Sequence, residues 1–186
     1  MTTEFLLAAS RDLALLVVGS LLTLFGAWLS NRATANREAA AAQERRQVDA
    51  EQRDRAAAEH VRGLVFDLYV EARRWNQAAN DSPLRFDEVT FHSAEMGTEL
   101  IGSRRVRSLL DQAFFVARNA GITRGWGTID ETAPRAQTTA QYDALQVLSA
   151  YIRGDSVEGE FAERIEARRR GVSQAIDQEY AAQEGP

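Results

Sequence analysis

The chain opens with an apolar segment and continues as a mostly polar one. Residues 13–29 (LALLVVGSLLTLFGAWL) form a run of seventeen positions without a charged side chain. As a helix, at about 1.5 Å per residue, this segment is roughly 26 Å long, close to the hydrocarbon thickness of a bilayer. Its few glycine and hydroxyl residues do not make up the polar face expected of a helix in a soluble core. The pattern therefore predicts a transmembrane helix.

The residues around the segment favour a permanent anchor over a cleaved signal peptide. A signal peptide begins with a basic region, whereas the chain begins with Glu4, Arg11 and Asp12. Residues 33–35 (ATA) resemble a cleavage site, but Arg32 separates them from the apolar segment. We therefore interpret residues 13–29 as an uncleaved anchor.

The distribution of arginine predicts the orientation of this anchor. Arg11 alone precedes it, whereas four arginines follow within about 20 residues, and the excess of basic residues marks the cytoplasmic side. They are Arg32, Arg37, Arg45 and Arg46. We expect a single-pass protein of the inner or plasma membrane, with residues 1–12 outside and the C-terminus in the cytoplasm. The absence of cysteine agrees, because small exported domains often depend on disulfides.

Residues 30–60 have the composition of a solvated helix. They are rich in Ala, Glu, Gln and Arg, contain neither Gly nor Pro, and have Val48 as their one larger aliphatic residue. Most of these residues are strong helix formers, so the anchor helix should continue as a polar stalk. Leu and Ile are missing from the positions that pair coiled coils. A solvated spacer is favoured, and a coiled coil paired through Ala is the alternative.

From Val61 onward, apolar residues recur at three- and four-residue spacing, which predicts helices with one buried face each. No stretch alternates with the two-residue period of a strand. We predict an all-α fold in which residues 61–186 form a small bundle of four to five helices. The predicted buried faces are Val61, Leu64, Val65, Leu68, Ala72 and Trp75; Phe86, Val89, Met96 and Leu100; Val106, Leu109, Leu110, Ala113, Phe114 and Ala117; Leu145, Leu148, Tyr151 and Ile152; and Val157, Phe161, Ile165, Val172, Ile176 and Tyr180.

Capping residues predict where these helices begin and end. Ser82 and Pro83, after the break at residues 80–81, are typical of a helix start. Gly154 is placed to end the fourth helix. Asp155, with Glu158 three residues later, forms a capping box that would open the fifth.

Residue types that carry chemistry are scarce. The sequence has no phosphate-binding glycine loop, no metalloprotease or hydrolase motif, no cysteine and two histidines. A net charge of −5 argues against general nucleic-acid binding. Glu160, Arg164 and Arg168 follow one another at one-turn spacing, which indicates a solvated surface ladder. We predict no enzymatic activity, no catalytic residue, no cofactor and no nucleic-acid partner.

One face of the second predicted helix gathers groups that could hold a metal ion. Glu88, His92, Glu95 and Glu99 share this face, and imidazole and carboxylate bind several divalent ions. The face lies opposite the predicted apolar face and should therefore point at water. A solvated surface is favoured over a metal site.

The segment 121–134 (GITRGWGTIDETAP) is longer than most connections between helices. Its Arg124 and Trp126 are candidates for contact with a partner, because aromatic and arginine side chains dominate many interfaces. A connector whose Trp126 folds back onto the bundle is the favoured alternative.

Small residues in the anchor offer a candidate seam for self-association. Gly19, Thr23, Gly26 and Ser30 follow four-three-four spacing and share one helix face. Such stripes let two transmembrane helices approach closely, although glycine and serine are common in membrane helices in any case.

Three hypotheses for function follow. The first is a non-enzymatic, membrane-anchored adaptor or regulator whose cytoplasmic bundle binds a protein partner. The second is a self-associating structural assembly, in which the anchor and the stalk form a homo-oligomer in the lipid bilayer. The third, and least favoured, is a metal- or ligand-dependent enzyme that uses the face around His92.

Overall fold

The computed structural model describes residues 2–78, 82–123 and 132–183, with side chains described from residue 19 onward. The fold is all-α, as predicted, and no strand occurs within these ranges. Its helices are α1 (Thr2–Gln77), α2 (Glu88–Thr98), α3 (Arg104–Asn119), α4 (Ala133–Arg153) and α5 (Glu160–Gln183), with a 3-10 turn at Ala120–Thr123.

The chain divides into two compact units, residues 1–50 and 51–186. The first unit belongs to α1, which is continuous through the predicted anchor and stalk. Across the side chains that are described, no helix is long and apolar enough to cross a membrane. The side chains of residues 13–18, the first part of the predicted span, lie outside the described set.

In the second unit, the end of α1 contributes one wall of the hydrophobic core. Val61, Val65, Leu68 and Ala72 are buried, which confirms the predicted face, and Ala58 joins them one turn earlier. They meet apolar residues of α2, α3, α4 and α5 in one cluster. Burying large aliphatic side chains stabilises a fold by about 1.5–3 kcal/mol each, so this cluster determines how the helices pack.

The helix α2 buries a different face from the one predicted. Phe91, Ala94, Gly97 and Thr98 are buried, whereas Val89, Met96 and Leu100 are exposed. The cause is a close approach to α1, because a Cβ added at Gly97 would lie 2.7 Å from Cγ2 of Val61. Ala94 and Gly97 are small enough to permit this approach, which leaves Val89 and Met96 on the opposite side of α2.

Two predicted helix starts are wrong, and one predicted end is confirmed. Residues 82–87 are not helical, and α2 begins after Asp87, whose carboxylate accepts a hydrogen bond from the backbone N–H of Thr90 at 2.9 Å. The last helix begins at Glu160 and not at Asp155. Gly154 ends α4 as predicted, with a φ of 77° that favours glycine.

Candidate functional site

The exposed face of α2 carries a strip of large apolar side chains. Val89 is 74% exposed, Met96 59% and Leu100 71%. Val89 and Met96 are seven residues apart, nearly two full turns, and so lie on one side of α2, while Leu100 follows in the turn after the helix ends at Thr98. We call Val89, Met96 and Leu100 the α2 strip. Exposed apolar side chains are common singly, whereas three close together on a short helix and the turn after it are typical of a contact surface.

A cavity of about 890 Å³ lies at the N-terminal end of the α2 strip. Its wall is formed by the segment 83–93 together with residues of α3, the 3-10 turn and α4. Val89 lines the cavity and also begins the strip, so the two are continuous. The aromatic part of the lining is Phe86 and Phe91, whose ring centroids are 5.3 Å apart.

The side chain of Gln137 on α4 fixes the position of this wall. Its amide oxygen accepts from the backbone N–H of Leu84 at 2.8 Å, and its amide nitrogen donates to the Leu84 carbonyl at 2.9 Å. The same nitrogen donates to the carbonyl of Ala117 at 3.2 Å. Because Gln137 is buried, these bonds satisfy a polar group that would otherwise destabilise the fold. A non-helical segment is thereby held in one conformation.

Charged groups of both signs lie around the cavity and the strip. Arg118 of α3 contacts Glu95 at 2.8 Å and lies over the ring of Phe91 at 5.0 Å from its centroid. Arg85, Glu88 and His92 also line the cavity. The cavity end of α2 therefore has positive charges beside the carboxylates.

The C-terminal end of α2 is acidic. Burial raises the pKa of Asp111 on α3, and the negative charges of Glu99 and Glu95 raise it further while Arg107 opposes them. Between Phe86 and Ser103 the sequence contains four acids and no Lys or Arg, and Arg107 of α3 reaches this end, where its guanidinium donates to the carbonyl of Ile101 at 2.6 Å. In the described part of the chain, the carboxylate of Glu99 has no ion-pair partner.

His92 lies at the surface, with its side chain 72% exposed and its Nδ1 3.9 Å from Glu95. Across the described residues, no three His, Cys, Asp or Glu side chains are grouped closely enough to hold a metal ion. Glu95 is drawn towards Arg118 instead. The four residues of the predicted metal face therefore do not come together around one point where a metal ion could bind.

Two other candidates from the sequence remain predictions. Arg124 and Trp126 lie outside the described residues. Gly19 and Gly26 have open space where a Cβ would be, and Thr23 donates its hydroxyl hydrogen to the carbonyl of Gly19 at 2.8 Å. Thr23 and Ser30 are exposed on the same helix.

Sequence reasoning missed the buried polar contacts that hold the helices together. Asp143 of α4 is fully buried and contacts Arg164 at 2.6 Å and Arg168 at 2.9 Å. The hydrogen bond to Asp143 is the main reason that the pKa of Arg164 is raised. The predicted surface ladder is therefore only partly right, since Arg164 also contacts Glu160 at 3.1 Å. One indication that Asp143 is buried was present in the sequence, because Asp143 lies four residues before Val147 and therefore on the same face of α4.

Asp54 on α1 makes a second set of contacts that the sequence did not predict. One carboxylate oxygen accepts from the backbone N–H of Gly102 at 2.6 Å, and the other accepts from the hydroxyl of Tyr151. Burial, followed by this bond, raises the pKa of Tyr151 to about 12. One side chain of α1 thus contacts both the turn after α2 and the helix α4.

The chain has been compared with protein-family models, curated proteins and solved structures, and none of them matches it.

Proposed function

We propose that the chain is a non-enzymatic, membrane-anchored adaptor whose bundle binds a protein partner. The observation that carries this proposal is the α2 strip, which leaves three large apolar side chains in contact with water, two on α2 and one in the turn after it. Covering such a strip with a partner removes apolar area from water, at about 25 cal/mol per Å². A protein partner with a matching apolar surface supplies this cover.

The start of α1 supports the anchoring part of the proposal. Large apolar side chains from Leu21 to Leu29 are exposed, and the ring of Trp28 stacks near Phe25 at 5.8 Å. The guanidinium of Arg32 lies 5.3 Å from the Trp28 ring centroid. Aromatic and basic residues are enriched where a transmembrane helix leaves the bilayer. In this proposal residues 13–29 cross the membrane, 30–60 form the stalk, and 61–186 lie in the cytoplasm.

The ion pairs of the bundle fit an adaptor better than an enzyme. Asp143 is engaged by two arginines of α5, and Arg105 of α3 contacts both Glu158 and Glu166, at 2.7 Å and 2.8 Å. These contacts hold neighbouring parts of the bundle together, and the charged groups are therefore already paired within the fold.

The test uses the full chain in its native membrane. A photo-reactive residue is placed at Met96, and the matched control places it at Tyr180 of α5, which is 64% exposed. We expect a discrete cross-linked protein from position 96 and not from position 180. Equal labelling at both positions, or no adduct at 96, would contradict partner binding through the α2 strip.

The anchoring part is tested separately by extraction. The full chain should stay with the membrane pellet in alkaline carbonate, and a chain lacking residues 1–30 should be released. Release of the full chain would contradict anchoring, whatever the cross-linking shows.

A further inference from the structure

We infer that the α2 strip binds an amphipathic helix of a partner protein, whose apolar face carries lysine or arginine at the edge that meets Glu99. This inference rests on the proposed adaptor function. It adds the chemical nature of the segment that is bound.

The shape of the strip indicates a helical occupant. Val89 and Met96 are seven residues apart on α2, which is about 10 Å along the helix axis, or two turns, and Leu100 continues the strip in the turn after the helix. The described part of the bundle has no strand whose free edge could pair with an extended peptide. A helix that lies along α2 meets such a strip with side chains at positions i, i+3 or i+4, and i+7.

The cavity gives the occupant an anchoring point. It adjoins the strip at Val89, and Leu84, Phe86 and Phe91 line it. A volume of about 890 Å³ has room for a large apolar side chain from a partner. Side chains that fill such pockets contribute most of the binding free energy at many interfaces.

The charges around the strip predict the charge of the bound segment and its direction along α2. At the cavity end, Arg85 and Arg118 offset Glu88 and Glu95. At the other end, burial raises the pKa of Asp111, and repulsion by the negative charges of Glu99 and Glu95 raises it further although Arg107 opposes them. A cation brought by the partner relieves this repulsion. The basic residues should therefore lie about three turns from the side chain that enters the cavity.

The same charges disfavour a lipid surface as the occupant. The cytoplasmic leaflet carries anionic lipids, which attract basic segments and repel acidic ones. The acidic end of α2 would oppose that contact even though the strip is apolar. A second copy of this chain is the other occupant that the test must separate.

The experiment compares the adduct formed by the photo-reactive residue at position 96 in three surface variants. They are Glu99→Lys, the milder Glu99→Gln, and the matched control Glu179→Lys at an exposed position of α5. We expect Glu99→Lys to lower the yield of adduct about tenfold, Glu99→Gln to lower it less, and the control to leave it unchanged. Thermal unfolding of each variant shows that the bundle is still folded.

Mass spectrometry of the adduct then identifies the bound segment. A segment with apolar residues at helical spacing and Lys or Arg beside them supports the inference. An adduct to this chain's own peptide, to lipid, or to an acidic segment overturns it. If the adduct forms equally well in Glu99→Lys, the inference fails and the adaptor function stands, whereas the absence of any adduct in the parent chain overturns both.

Discussion

Asp143 of α4 is fully buried, and its carboxylate accepts a hydrogen bond from Arg164 of α5 at 2.6 Å. Removing one partner of such a pair leaves the other charge with its desolvation cost uncompensated. The contact therefore joins α4 to α5 more strongly than an ion pair on the surface would.

We expect Asp143→Asn to lower the free energy of unfolding by about 2–4 kcal/mol. This is less than the full cost of breaking a buried pair, because Arg164 is 36% exposed and solvent screens part of its charge. The measurement is chemical unfolding of the full chain in detergent. The matched control is Asp155→Asn, which breaks the exposed pair with Arg153 and should cost about 0–1 kcal/mol. Equal losses in the two variants would show that burial of Asp143 contributes nothing.

Gly97 gives a second prediction, because α2 packs closely against α1 at this residue. A Cβ at this position would lie 2.7 Å from Cγ2 of Val61, so Gly97→Ala should destabilise the fold by about 1–3 kcal/mol. Val61→Ala removes that methyl group and should make the second substitution much less costly. A double-mutant cycle measures this coupling.

The control for Gly97 is Gly63 on α1, which has open space at its Cβ position. Alanine is the better helix former, so Gly63→Ala should stabilise the chain by up to about 1 kcal/mol. If Gly97→Ala behaves like Gly63→Ala, the close packing of α2 on α1 is wrong.

The helices of the bundle could be predicted where apolar spacing and core packing agree. On the bundle part of α1 and on α3, apolar residues at the predicted spacing, such as Val65 and Leu110, are also buried. The end of α4 could be predicted from Gly154, because the residue after a helix often adopts the left-handed backbone conformation that glycine favours.

The buried face of α2 could not be predicted, because its sequence has two helical apolar patterns. One contains Val89, Met96 and Leu100, and the other contains Phe91, Ala94 and Gly97. Counting the large apolar residues selects the first pattern, whereas close packing against α1 selects the second. Which pattern wins depends on the partner helix, and sequence periodicity does not contain that information.

The buried polar contacts could not be predicted from the sequence, for a related reason. Arg164 and Arg168 are more than twenty residues from Asp143 in the chain. Their regular spacing on α5 predicts a surface ladder when α5 is considered alone. That both side chains point towards Asp143 follows only from the packing of α5 against α4.

Tyr151 gives a prediction for alkaline pH. Its pKa in the folded protein is raised to about 12, and that of an unfolded chain is about 10. Between these values the unfolded chain loses the proton first, so the stability contributed by Tyr151 is present below pH 10 and is lost as the pH rises towards 12. Unfolding measured across this range should show that loss, and Tyr151→Phe should reduce it.

Asp54→Asn separates the two causes of this shift. It removes the negative charge but leaves the burial, which is the larger cause, so the pKa of Tyr151 should fall and stay above 10. Ultraviolet absorbance of the phenolate follows this titration, and Tyr180→Phe on the exposed part of α5 is the control. A pKa that does not move in Asp54→Asn would show that the hydrogen bond plays no part.

The exposure of the α2 strip gives the last prediction, and it distinguishes the structure from the pattern in the sequence. If Met96 and Leu100 were core residues, replacing either with a small side chain would cost about 2–5 kcal/mol. Because they are exposed, Met96→Ser and Leu100→Ser should each change the free energy of unfolding by no more than about 0.5 kcal/mol. Phe91→Ala, on the buried side of the same helix, should cost about 3–5 kcal/mol. A large loss in Met96→Ser with little loss in Phe91→Ala would mean that α2 is turned the other way, and the docking surface proposed for it would then be part of the core.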